Sequence, residues 1–115
     1  MTSKELNLYL IKNLNEIENF YKEEVSWQEG DETGSHIVFG DVFVPFIINI
    51  FSQNKFDILK KCFYVIEKMI EFEDDYVDEV IELSIFESLA DNNILKNLEI
   101  YMGKKTKEKI KKYIN

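Results

Sequence analysis

Between Asn54 and Phe72 the apolar positions recur at helical spacing over almost five turns. At 100° per residue Phe56, Ile58, Leu59, Cys62, Phe63, Val65, Ile66, Met69 and Ile70 share one side. Asp57, Lys60, Lys61, Tyr64, Glu67, Lys68 and Glu71 share the other. A stripe this wide exceeds a coiled-coil seam and predicts a central helix with neighbours on two sides. Asn54, three residues before Asp57, is read as its start.

The same periodicity organises the flanks. Thr2-Ser3-Lys4-Glu5 has capping-box spacing and predicts a helix to about Glu24, with Leu6, Tyr9, Leu10, Leu14, Ile17, Phe20 and Tyr21 on its inner face. Val25–Ser35 is an extended polar loop with turn chemistry at Gly30–Gly34. Ile37–Phe51 admits a strand pair around Gly40-Asp41 or a buried helix. Pro45 weakens the first reading, and the Asn49 and Ser52 spacing supports a helix from about Asp41 to Gln53, with Pro45 near its first turn.

Glu73-Asp74-Asp75 opens another helix to about Ala90, with Tyr76, Val77, Val80 and Leu83 facing inward. Asp91-Asn92-Asn93 breaks it. A shorter helix ends at Met102 with Gly103 in the C′ position, and Thr106 caps a last one through Ile114. The expectation is one all-α domain of about six helices in antiparallel hairpins. Asp41–Phe72 and Asp74–Met102, two hairpins of similar length, suggest a short HEAT-like stack.

Composition narrows the function classes. The chain has 115 residues, enough for one domain that buries roughly two-thirds of its unfolded surface. It is 45% hydrophobic and 31% charged, with net charge −8. All of its bases are lysine. The acidic balance and the absence of arginine argue against nucleic acid and against an anionic membrane surface. No leader-type apolar segment and no uninterrupted apolar run of bilayer length is evident, so a cytoplasmic protein is expected. Cys62, the single cysteine, falls on the apolar face of the central helix and reads as a small buried hydrophobe.

Candidate chemistry is sparse. From Glu67 to Asp91 ten acids stand against Lys68 alone. Asp75, Asp78, Glu79 and Glu82 cluster on one helical face. Such a face is either plainly solvated or a docking surface that steers a basic partner. Trp27, alone in the polar loop, either caps the core or anchors a partner. Glu87 projects from the core side, where a carboxylate needs a donor or pairs with His36. The single histidine, His36, has neither a nucleophile at suitable spacing nor a metal-ligand pattern. No phosphate-cradling glycine loop is present, and no cofactor or metal is implied. Six lysines between Lys104 and Lys112 complement the acidic body.

Several short patterns, by their order and spacing, resemble a family of small all-helical bacterial proteins of unassigned biochemistry, encoded among polymorphic-toxin immunity genes. They are Glu29-Gly30-Asp31-Glu32-Thr33-Gly34-Ser35-His36 running into Phe39-Gly40-Asp41-Val42-Phe43, then Asp75-Tyr76-Val77-Asp78-Glu79-Val80, Glu87-Ser88-Leu89 with Asp91, and Tyr101-Met102-Gly103-Lys104-Lys105-Thr106. Val44 and Lys105 depart from the usual pattern. The resemblance implies a non-enzymatic inhibitor that covers the active site of a cognate toxin. Acidity fits a basic nuclease as that toxin. Asp75, Asp78, Glu79 and Glu82 would be the steering face, with Trp27 and Tyr64 as anchors. The other class open is a helical-repeat adaptor with no toxin partner, and a third is a small hydrolase using His36 and Glu87.

Overall fold

The computed structural model describes residues 1–114, and these contain helices and turns with no strand. Helix α1 is Ser3–Asn13 and α2 is Glu18–Val25. Helix α3 runs through Ser35–Ser52, α4 through Phe56–Ile70, α5 through residues 75–91 and α6 through Lys104–Ile110. Short 3-10 turns fill Asn15–Ile17, Gly30–Glu32, Lys96–Tyr101 and Lys111–Tyr113. The chain is an all-α bundle of antiparallel hairpins.

Helix α4 has the expected inner face. Leu59, Cys62, Phe63, Val65, Ile66, Met69 and Ile70 are buried, against α3 on one side and α6 with the start of α5 on the other. Burial pushes the Cys62 thiol far above its ordinary pKa. Phe56 is the exception: it is exposed and stacks on Tyr101 at 5.9 Å. Asn54 does not start α4. It sits at φ 57°, where its N–H donates to the Phe51 carbonyl while Lys55 N–H reaches Ile50, a Schellman closure of α3.

Helices α3 and α5 each contain a wide, π-helical stretch, Phe39–Phe43 and Val80–Phe86. Val44 N–H donates to the Phe39 carbonyl and Glu87 N–H to the Glu82 carbonyl, each reaching back five residues. Pro45 supplies a local cause for the first, because it has no N–H to offer and its ring crowds the carbonyl four residues earlier. Residues 80–86 contain neither proline nor glycine, so local sequence gives no cause for the second. The two wide stretches pack on each other, with Gly40 facing Ser84 and with Phe39 and Phe43 edge-to-face at 5.5 Å in the core beneath. Full burial of each ring is worth about 2 kcal/mol.

The wide turns correct several expectations. The helix favoured from about Asp41 to Gln53 is present, but α3 begins six residues before Asp41, so Ile37–Gly40 is helical too, and exposed Pro45 lies inside it. One extra residue in a turn rotates everything beyond it by roughly 100°. Leu83, expected in the core, is therefore 51% exposed, and Ser84 and Ile85 take its place. Glu87, expected on the core side, is exposed for the same reason. The first helix is also two helices. The break at Leu14 resets the phase, and Phe20 is exposed.

By length and apolar content α3 could cross a bilayer, contrary to the expectation that no segment would. Half of its residues are buried inside the bundle.

Two polar clusters fix the remaining pieces. Fully buried Asn7 donates through Nδ2 to the carbonyls of Asp31 (3.1 Å) and Thr33 (2.7 Å), and its Oδ1 accepts from Ser35 Oγ at 2.8 Å. Tyr21 Oη donates to Asp31 Oδ1 at 2.7 Å, so the Gly30–Glu32 turn is pinned to both α1 and α2. Gly30, at φ 60°, lets the chain enter that turn.

At the other end Gly103 follows the C-cap Met102, in the C′ position expected, but its backbone is extended (φ −76°, ψ 175°) and not left-handed. It also directly precedes α6, whose cap comes from α4. Glu67 accepts from Lys105 N–H (3.0 Å), Thr106 N–H (2.8 Å) and Thr106 Oγ1 (2.7 Å). A Cβ on residue 103 would stand 2.5 Å from Glu67 Cδ, so a side chain there would have to displace the capping carboxylate.

Burial raises the Glu67 pKa, but the hydrogen bonds from Thr106 and Lys105 outweigh it and hold the carboxyl below its ordinary range. The stability it contributes is complete above the unfolded value, about 4.3, and is lost as pH falls through the lower folded value. Glu67→Ala is expected to cost about 1–2 kcal/mol in urea unfolding. Glu67→Gln should flatten the acid limb of stability against pH; an unchanged limb would show that the carboxylate's charge adds nothing to the cap.

Candidate functional site

Two grooves and one reactive-type cluster bring together the candidate residues. The first groove lies along α5, lined by Asp75, Asp78, Glu79, Glu82, Leu83 and Glu87, with Lys112 and Tyr113 closing one side. Asp74 starts α5 by accepting from Val77 N–H at 3.0 Å, which sets the phase of the first two turns. The wide turn then brings Leu83 and Glu87 onto this same face. The sequence reading placed the four acids together and missed the apolar residue among them.

The four are not equivalent. Glu82 is ion-paired with Lys112, and this pairing raises the lysine pKa. Glu79 Oε2 is 3.8 Å from His36 Nε2. Asp75 and Asp78 have no ion-pair partner among the described residues.

The second groove, about 250 Å³, lies between α2 and α3 and is lined by Phe20, Glu23, Glu24, Trp27, Asp41, Val42, Pro45, Phe46 and Asn49. Trp27 is 76% and Phe20 55% exposed, and Phe20 and Phe46 meet with centroids 6.0 Å apart. Trp27 therefore does not cap the core. Its loop is ordered by Gln28 N–H on the Val25 carbonyl (3.2 Å) and by Glu29 N–H on Thr33 Oγ1 (3.0 Å). Tyr64 lines neither groove; it stands exposed on α4 beside Lys68, whose Nζ is 5.4 Å from the ring centre. The expected site residues thus fall in three places.

The reactive-type cluster is His36, Ser84 and Glu79. His36 Nδ1 and Ser84 Oγ are 2.6 Å apart, and the ring lies edge-on to Tyr76 at 5.8 Å. Ser84 was not anticipated, although it stands seven residues after Val77 and four after Val80 on the buried face of α5. The order hydroxyl, imidazole, carboxylate is that of a nucleophile with its base. Ser84, however, is only 7% exposed and lies mid-helix, where flanking amides belong to the ladder and do not form an oxyanion pocket. What the contact does is tether α3 to α5. Glu87, for which pairing with His36 was one of two readings, instead lines the α5 groove.

A family model for DUF7674, a domain of unknown function, matches residues 7–115. The chain is a member of that family, a class of all-α domain with no assigned biochemistry. No curated protein and no solved structure matches it.

His36→Ala and Ser84→Ala, alone and combined, should show a coupling of about 0.5–1.5 kcal/mol in a denaturant double-mutant cycle. Additive losses would mean that the two side chains do not support one another.

Proposed function

We propose that this protein is a non-catalytic binding protein that docks a basic partner protein on the α5 groove. The finer reading is an immunity protein that neutralises a cognate bacterial toxin domain. The observation that carries the proposal is the composition of that groove: five carboxylates around exposed Leu83, with Lys112 as the opposing base. Apolar surface inside a charged rim is the ordinary anatomy of a protein interface. The carboxylates add long-range attraction, which acts mainly on association rate. The immunity reading draws on the family likeness described from the sequence, and on the fit between an acidic cover and a basic nuclease.

The product of the adjacent gene is the partner to test, by capture from solution and by rescue of growth on co-expression. Changing Asp75→Asn, Asp78→Asn and Glu79→Gln together should slow association about tenfold at low salt, with wild-type circular dichroism retained. The difference should shrink as salt rises. An association rate untouched by the three changes would remove the α5 groove from the interface. Binding without growth rescue would leave the docking reading standing and end the toxin reading.

A further inference from the structure

The groove between α2 and α3 has a chemistry of its own, independent of the α5 reading. Two exposed aromatic rings, Trp27 and Phe20, stand with Phe46 over an apolar floor of Val42 and Pro45. The charged residues that line it are Glu23, Glu24 and Asp41, and no lysine is among them. Glu24 accepts from Gln28 Nε2 at 3.1 Å, and among the described residues none of the three acids is in an ion pair. The groove, about 250 Å³, has room for a long side chain.

We infer that this groove is a receptor for an arginine side chain carried in an apolar segment of a partner polypeptide. The ring faces carry the negative side of the aromatic quadrupole and attract a cation, tryptophan most strongly. A guanidinium is planar and weakly hydrated, so it stacks on such a face while its fork reaches carboxylates at the rim. A purely apolar occupant would desolvate Glu23 and Asp41 with nothing to pair them, which is costly. An anionic occupant meets three carboxylates. Hydrogen bonds at Gln28 and Glu29 fix the backbone that carries Trp27, so the loop itself needs little ordering on binding.

Trp27 is the one tryptophan in the chain, so its emission reports on this groove alone. The probe is acetyl-Leu-Arg-Leu-amide, and the control is the same peptide with citrulline, which keeps the shape and removes the charge. The arginine peptide should change Trp27 emission saturably, and the citrulline peptide should bind at least about tenfold more weakly. Glu23→Gln with Asp41→Asn should weaken the arginine peptide about tenfold and leave the citrulline peptide unaffected. The triple α5 variant should bind the peptide as wild type does, so failure here and failure of the α5 proposal read out separately. Equal affinity for both peptides, or no saturable change, overturns the inference. So does self-association in sedimentation velocity that Trp27→Ala abolishes, because it would give the groove to the lysine-rich α6 of a second copy.

Discussion

The crossing of α3 and α5 sets the geometry of everything else. Each helix meets the other through a wide turn, and a wide turn shifts the phase of all residues beyond it. Phe39, Phe43, Ile85 and Phe86 are fully buried in or beside those turns. His36 and Ser84 join the two helices from the polar side at 2.6 Å. The same offset turns Leu83 and Glu87 outward, and Pro45 sits exposed just past the wide turn of α3. The α5 groove and the α3 wall of the second groove therefore owe their linings to one packing solution.

Long-range polar contacts then hold the groove walls. Asn7 and Tyr21 pin the Gly30–Glu32 turn, and the loop that presents Trp27 runs between that turn and α2. Glu67 caps α6, which leads into the turn carrying Lys112 to Glu82. Among the described residues no buried side-chain nitrogen or oxygen lacks a hydrogen-bond partner. Such groups are costly when orphaned, so each contact specifies one arrangement of the segments it joins.

The charge distribution follows this division of labour. Acids that support the fold are paired or hydrogen-bonded: Glu16 with Lys61 at 2.9 Å, Asp74 at the start of α5, Glu67 on α6. Asp75, Asp78, Glu23 and Asp41, which line the grooves, have no ion-pair partner among the described residues. Their charge is accordingly available to a partner, at a modest cost in self-repulsion for a chain of net charge −8.

Local periodicity determined the helical class, the capping box at Thr2 and Glu5, the inner face of α4, the cap at Asp74 and the break at Asn92-Asn93. Each of these depends on residues within a turn or two of one another, which sequence spacing reports directly. Spacing also grouped Asp75, Asp78, Glu79 and Glu82, because they precede or enter the wide turn of α5 and keep straight-helix phase. It could not place Phe20, Leu83 or Glu87, whose faces depend on a helix break or an added residue in a turn, nor could it pair Ser84 with His36, 48 positions away. Nor could it show that Glu67, 36 positions before Gly103, caps a distant helix, or that Trp27 shares a groove with Phe46. Those outcomes were decided by which surfaces meet, and the energy of packing two helices together exceeds the small local preference for a regular turn.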